Sequence, residues 1–394
     1  CSSDLEIGES AFSGCTSLEQ TLLGENVTKL GTKAFYNCKK LNLSMTLPKK
    51  LTVIESSVFQ GCMGLSGNLV IPEGVTTIRE NAFYGCSGLT GDLDIPEGVT
   101  TIGDNAFNGC SGFGGTLTLP DSLKSIDRYA FYGCSEITGE LVIPGKITEI
   151  PYGTFSGMQK VTSVVLGEKV ENIWTGYDSE HAFYQWNNVE TVRFLSTVPP
   201  TVNSRYSTKY SVFYFMPNLK TVYIPQGTYQ VYNSQYGDGI KAGVRLKEEG
   251  SGDFVITDGE LISYSGTDTE VAVPDQVTRI GTGAFRNNTT VQKVTLPAGV
   301  TAIGAYGFNN CTALTEVDYT DSSSLTEIGE SAFSGCTSLE QTVLGENVTK
   351  LGAKAFYSCR KLDLSMTLPQ KLTVIEPSVF QGCMGLSGNL VIPE

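Results

Sequence analysis

Ten cysteines recur at a nearly constant spacing on either side of one long gap, and each follows a phenylalanine by three positions. Stacking at such regular intervals would set their side chains parallel, which is a poor geometry for disulfides. Zinc binding is also disfavoured, because no two cysteines form a C-x₂-C pair. The ten are Cys15, Cys38, Cys62, Cys86, Cys110, Cys134, Cys311, Cys336, Cys359 and Cys383.

Other residue types occupy the same position in less regular repeats, namely Met158, Trp186, Met216 and Asn288. A position that accepts methionine and tryptophan mainly fills the core, and buried cysteine behaves as a small hydrophobic residue. We therefore predict free, buried thiols, with a disulfide framework as the alternative. We expect no metal site and no cofactor.

The second group of residues able to do chemistry lies between 170 and 236, where longer spacing indicates inserted loops. Both tryptophans and the only histidine fall in this region. Inserted loops of repeat proteins often form the binding face, and aromatic rings bind sugars and peptides there. The alternative is that these rings pack the last coils, as we expect for Trp186. The candidate ligand-binding residues are Trp174, Tyr177, His181, Tyr184, Tyr206 and Tyr210.

Composition removes several classes of function. The chain has 394 residues and a formal net charge of −14, which argues against nucleic acid and anionic lipid as partners. No apolar run is long enough for a membrane span. A single histidine excludes histidine-rich metal sites and leaves a catalytic triad only one possible base. We therefore expect a protein that is not an enzyme.

The cysteines belong to a repeat of about 23–24 residues that dominates the chain. In one unit, Leu69 and Ile71 alternate with polar or outward positions, which is the pattern of a half-buried strand, and Pro72 ends it. The following Ala82 to Cys86 is too short for a free helix and predicts one helical or 3₁₀ turn.

No unit can bury its own apolar residues, but stacked units can. Parallel strands about 4.8 Å apart would then align each Leu, Ile, Val, Phe and Cys with its counterpart in the next coil. The sequence therefore predicts a right-handed repeat solenoid with short parallel β-strands and a thin continuous core.

The unit L-x-I-P-x-x-V-x-x-I-G-x-x-A-F-x-x-C-x-x-L resembles the BspA-like leucine-rich repeat of bacterial surface proteins. The segment from Ile95 to Cys110 matches it in order, and the resemblance covers most of 7–166 and 277–394. It implies the leucine-rich-repeat solenoid fold and, by analogy, adhesion to extracellular matrix or to other cells.

The period breaks between Phe213 and Phe285. The tyrosines of 229–236 resemble a C-terminal cap, and Asp258-Gly259 predicts the hairpin of a new N-terminal cap. Residues 248–252 have linker composition. We therefore predict one capped solenoid over 1–247, a linker at 248–252, and a second solenoid over 253–394 that is truncated at its C-terminal end.

The two ends of the chain are nearly duplicates: residues 7–73 and 328–394 are identical at 60 of 67 positions. This predicts an excerpt from a tandem array of domains. Cys1 begins a Cys-Ser-Ser-Asp segment that is similar to the lipid-bearing start of a mature lipoprotein, but a fragment edge is the favoured interpretation.

These patterns predict a secreted or cell-surface bacterial module that binds a protein or extracellular-matrix partner without catalysis. In successive units the outward strand position reads Val70, Asp94, Thr118 and Val142, so this surface varies while the core repeats. Two alternatives stay open. One is a glycan-binding surface protein that uses the aromatic loops of 170–236, and the other is a structural spacer of the tandem array.

Overall fold

The chain folds mainly into short strands that stack on one another at the interval of the repeat. The computed structural model describes residues 4–20, 22–42, 44–176, 180–204, 211–249, 252–319, 324–342, 344–363 and 368–387. Two compact units divide the chain, Cys1–Leu219 and Lys220–Glu394. Each is a solenoid whose coils are joined by parallel strand pairs, as the repeat predicts.

The first unit contains seventeen strands among its described residues, and each regular coil contributes one strand to each of two ladders. The ladders run in the orders β3-β5-β7, β4-β6-β9-β11, β8-β10, β12-β14-β16 and β13-β15-β17, with β1 paired to β2. The strands are Leu5–Ile7 (β1), Val27–Leu30 (β2), Ser44–Thr46 (β3), Val53–Ile54 (β4), Ser66–Val70 (β5), Thr77–Ile78 (β6), Leu89–Thr90 (β7), Leu93–Asp94 (β8), Thr101–Ile102 (β9), Leu117–Thr118 (β10), Ser125–Ile126 (β11), Thr138–Ile143 (β12), Glu149–Ile150 (β13), Lys160–Leu166 (β14), Asn172–Thr175 (β15), Thr191–Phe194 (β16) and Thr201–Ser204 (β17).

The second unit begins with a short α/β segment and continues as coils. Its ladders run in the orders β20-β21-β23-β25-β27-β29-β30 and β22-β24-β26-β28, with β18 paired to β19. Its elements are Thr221–Ile224 (β18), the helix Tyr229–Tyr236 (α1), a 3₁₀ turn at Gly237–Gly239, Arg245–Glu248 (β19), Phe254–Thr257 (β20), Glu260–Tyr264 (β21), Glu270–Ala272 (β22), Arg279–Ile280 (β23), Lys293–Leu296 (β24), Ala302–Ile303 (β25), Glu316–Tyr319 (β26), Glu327–Ile328 (β27), Gln341–Thr342 (β28), Lys350–Leu351 (β29) and Val374–Ile375 (β30).

The core is a set of aligned side-chain rows. Leu69 and Ile71 are buried while Val70 is exposed, which confirms the predicted strand alternation. The phenylalanine rings form the most regular row: from Phe12 to Phe155, successive centroids lie 5.2–5.7 Å apart with planes within 18° of parallel. Parallel offset rings at this distance attract one another beyond the area that they bury.

The turn that carries the phenylalanine is more specific than the sequence indicates. Bonds of the i→i−3 type close it, such as Tyr84 N–H to Asn81 C=O, but Asn81 and Gly85 have positive φ and interrupt any continuous helix. Alternate amides instead donate to the next coil: Phe83 N–H lies 2.8 Å from the carbonyl oxygen of Ala106. A continuous helix would point those amides along its own axis and lose this ladder.

The predicted hairpin at Asp258-Gly259 is confirmed, since β20 and β21 pair antiparallel around these two positive-φ residues. The predicted cap tyrosines Tyr229, Tyr232 and Tyr236 lie buried on α1. Their segment contacts the coils that follow it, because the Tyr229 hydroxyl donates to the Gly283 carbonyl oxygen at 2.7 Å.

The boundary between the compact units lies at Leu219/Lys220, so the cap-like segment at 229–236 falls within the second unit. Among the described residues, a single apolar cluster from Leu261 to Val379 forms the core of the later coils. The predicted joint at 248–252 stays a prediction.

Limited proteolysis tests the position of this joint. We expect a broad-specificity protease to cut first within 248–252, because a short polar linker opens more easily than packed coils. The bond from Tyr229 to Gly283 should hold the nicked pieces together until denaturant separates them. Mass spectrometry of the fragments decides the matter, and a first cut near Leu219/Lys220 would contradict the predicted linker.

Candidate functional site

The cysteine row has a role beyond filling space. Nine cysteine thiols, from Cys38 to Cys383, donate to the carbonyl oxygen of the phenylalanine one coil earlier, at Sγ–O distances of 2.9–3.2 Å. Trp186 occupies the same position and donates its indole N–H to the Phe155 carbonyl oxygen at 2.8 Å. Trp186 is fully buried, which confirms its predicted place in the core. The position therefore favours a donor as well as an apolar body.

The fully buried thiols in the middle of the first unit are poor nucleophiles. Burial raises the pKa of Cys62 and of Cys134 to about 12, and it raises the pKa of Cys86 and Cys110 well above the ordinary value. A protonated thiol neither attacks electrophiles nor binds soft metals well. All ten cysteines of the row are free thiols in the structure. Within the described ranges, no group of three or more His, Cys, Asp or Glu residues is arranged to hold a metal ion.

His181 lies in the core rather than at the surface. Its side chain is fully buried, its Nδ1 accepts the Phe183 N–H at 3.1 Å, and its ring meets Phe215 edge-on at 5.1 Å. Burial lowers the pKa of His181 to about 4, so the imidazole is neutral at physiological pH. Its contacts are those of a packing residue.

The other described aromatic candidates, Tyr184 and Trp174, lie in different surroundings. Tyr184 is half-buried and meets Phe215 edge-on at 4.8 Å, beside His181. Trp174 is half-buried on β15, where its ring packs against Tyr152 at 5.3 Å. No ring contact joins Trp174 to His181 or Tyr184 in the described part of the chain. Three predicted candidates lie outside the described residues, namely Tyr177, Tyr206 and Tyr210.

A surface pocket of about 390 Å³ lies beside Trp174. Residues of four successive coils line it. The second strand of each coil carries a buried isoleucine, and the residues next to that isoleucine face outward. Ile102, Ile126, Ile150 and Ile173 are these buried anchors. We call the cavity the Trp174 pocket; its lining side chains are Asp104, Asp127, Arg128, Glu149, Pro151, Tyr152 and Trp174.

The charges of the Trp174 pocket are not balanced. Arg128 bonds to Asp104 twice, with Nη2–Oδ2 at 3.1 Å and its backbone N–H to Oδ1 at 2.9 Å. Glu149 accepts the Trp174 indole N–H at 3.1 Å. Burial, together with the nearby Asp104 and Glu149 carboxylates, raises the pKa of Asp127 even though Arg128 acts in the opposite direction. The pocket thus holds three carboxylates against one guanidinium.

Sequence reasoning identified only Trp174 among these residues. Asp104, Asp127 and Glu149 are distant from one another along the chain, so no local motif groups them. They become neighbours only because the coils stack and because β13 pairs with β15 in one register. In that register Glu149 pairs with Asn172, and Trp174 lies two positions further along β15. Aligning the residues that flank each second-strand isoleucine would have been the available signal.

The family model described as "BspA type Leucine rich repeat region" matches residues 3–114, 89–206, 115–239 and 263–387. No curated protein sequence matches the chain significantly. No helix in the described ranges has the length and apolarity that a membrane crossing requires.

Three solved structures illustrate the similarity. A leucine rich cell surface protein from Faecalibacterium prausnitzii is 26% identical, with 97% of this chain and 81% of that chain covered, at a TM-score of 0.34. A leucine-rich repeat protein from Bacteroides ovatus is 23% identical over the same shares, at a TM-score of 0.38. A leucine rich repeat protein of T. pallidum is 24% identical over 54% of this chain and 83% of that chain, at a TM-score of 0.37.

Thiol labelling tests the cysteine row. At pH 8 we expect Cys15, which is exposed, to react with N-ethylmaleimide at least about tenfold faster than Cys110, which is fully buried and protonated. Peptide mass spectrometry gives the rate at each site. In denaturant without reductant, all thiols of the row should react. Recovery of fewer than half would restore the disulfide framework.

Proposed function

The chain belongs to the BspA-type leucine-rich repeat family, and from this membership we propose that it is a non-catalytic binding module, secreted or displayed at a bacterial cell surface. Its partner in this proposal is a protein, such as a component of the extracellular matrix. The resemblance of the repeat to bacterial surface proteins supports the location. The net charge of −14 disfavours nucleic acid and anionic lipid as partners.

The outward strand row is the observation that carries the proposal. Val70 and Val142 are 45% and 47% exposed, and Asp94 and Thr118 on the coils between them are exposed as well. The residues that precede them in the chain are all leucines with at most 5% exposure, namely Leu69, Leu93, Leu117 and Leu141. The solenoid therefore keeps its core while its surface changes chemistry from coil to coil, which suits recognition of an extended partner.

Exposed apolar side chains support a protein partner in particular. Valine at an outward strand position gains nothing for the fold beyond strand propensity, whereas on a partner it buries apolar area. Singly exposed apolar residues are ordinary on protein surfaces. Here Val70 and Val142 stand at the two ends of one row, and the polar Asp94 and Thr118 lie on the two coils between them, as in the mixed surface of a non-obligate interface.

Binding to immobilised matrix proteins tests the proposal. We expect the chain to bind at least one of fibronectin, laminin, collagen or fibrinogen in biolayer interferometry. A variant carrying both Val70→Glu and Val142→Glu should bind about tenfold more weakly, because each change sets a charge into the apolar part of the contact. Circular dichroism should show unchanged folding, since both side chains face water.

Met63→Glu is the matched control. Met63 is 50% exposed, as the two valines are, but it lies on the turn between β4 and β5 rather than on the strand row. Its variant should bind like the original chain. Absence of binding to every matrix protein, or an equal loss with Met63→Glu, would contradict the proposal. Competition by free monosaccharides would instead favour the glycan-binding alternative.

A further inference from the structure

The Trp174 pocket has a charge pattern that the solenoid itself does not need. Asp104 is satisfied by Arg128 through a side-chain and a backbone hydrogen bond. In the described part of the chain, neither Asp127 nor Glu149 forms a salt bridge with a basic side chain. Two carboxylates thus face one half-open cavity without a cation of their own, which costs electrostatic free energy that an added positive group would recover.

The aromatic walls of the pocket are equally specific. Trp174 and Tyr152 pack at a centroid distance of 5.3 Å and an interplanar angle of 50°, so their faces are inclined rather than stacked flat. The indole N–H bonds to Glu149 and holds the ring in place beside that carboxylate. A cation placed against such faces is attracted by the ring electrons, and tryptophan is the strongest partner of this kind.

The volume and the lining residues of the pocket restrict the class of ligand that it can bind. A cavity of about 390 Å³ is near the lower limit of small-molecule sites and suits one side chain rather than a folded element. A sugar could donate its hydroxyls to these carboxylates, but a neutral ligand would leave the charges of Asp127 and Glu149 uncompensated, because Arg128 is the only basic side chain of the lining and is bonded to Asp104. A planar guanidinium both stacks on aromatic faces and bonds to carboxylates in pairs.

We propose that the Trp174 pocket binds an arginine side chain of a basic segment of the partner protein, with the guanidinium between Asp127 and Glu149 and against the ring of Trp174. This inference rests on the proposed binding function and names the chemistry of one of its contacts. The partner is then basic near its contact, in keeping with the acidic balance of the chain.

Nuclear magnetic resonance of the two indole N–H groups gives a direct test. The probe is N-acetyl-arginine amide, and its neutral isostere N-acetyl-citrulline amide is the matched ligand control. We expect a saturable shift of the Trp174 indole resonance with the arginine probe. The Trp186 resonance should not move, because that indole is buried against Phe155. Rising salt should weaken the binding, since partly exposed charges are screened.

Removing the charges of the two carboxylates tests their role in binding the arginine probe. Asp127→Asn should weaken binding of the arginine probe about three- to tenfold, and together with Glu149→Gln the shift should vanish. Asp121→Asn is the control, because Asp121 is an exposed carboxylate in the turn after β10 and lies neither in the pocket lining nor in the outward strand row. Its variant should bind the probe like the original chain.

The outcomes separate this inference from the proposed function. Equal shifts with the citrulline probe, saturable binding of glucose or galactose at Trp174, or full binding by the double variant would overturn the arginine pocket. Matrix binding that persists in the original chain alongside any of these results would leave the binding function intact. Arginine binding without any matrix binding would overturn the surface module and keep the pocket.

Discussion

The hydrogen-bonded step from one coil to the next is the constraint on which the rest of the structure depends. In the phenylalanine turn, alternate amides leave the local i→i−3 pattern and donate to the following coil, as Phe83 does to Ala106. Positive φ at Asn81 and Gly85 makes this alternation possible. Because the step is fixed at about one repeat, every side-chain row follows from it, including the ring stack and the thiol-to-carbonyl bonds of the cysteines.

The same constraint explains how the outward surface can vary without disturbing the core. Inward positions are held to Leu, Ile, Val, Phe and Cys by their neighbours above and below, so they repeat. Outward positions meet only solvent and adjacent outward residues, and so they vary. Outward residues of several coils line the Trp174 pocket: Asp127, Pro151 and Trp174 each follow the inward isoleucine of their own coil. The proposed recognition thus uses outward residues, which vary without changing the core.

Much of the fold could be predicted because the same pattern of inward and outward residues recurs in each repeat unit. The strand alternation at Leu69 to Ile71, the core place of Trp186 and the hairpin at Asp258-Gly259 all followed from local pattern. The site could not be predicted in this way, since Asp127 and Glu149 become neighbours only through coil stacking and strand register. The burial of His181 could not be predicted either, because a lone histidine in a single sequence gives no sign of whether it lies in the core or in a loop. Nor did composition indicate that the cysteines would donate hydrogen bonds, which depends on the direction of the phenylalanine carbonyls.

A deletion of one whole repeat measures the central claim most directly. Residues 71–74 and 95–98 are both Ile-Pro-Glu-Gly, so removing 75–98 rejoins the chain without a new sequence at the junction. The account predicts that this variant unfolds cooperatively in thermal circular dichroism and keeps the Trp174 indole resonance, because the register of every remaining coil is preserved. Deleting Thr101 alone should cost about 2 kcal/mol or more, since it turns the neighbouring Ile102 toward solvent. If the whole-repeat deletion were as disruptive as the single one, or if the single deletion were tolerated, coil register would not be what holds this protein together.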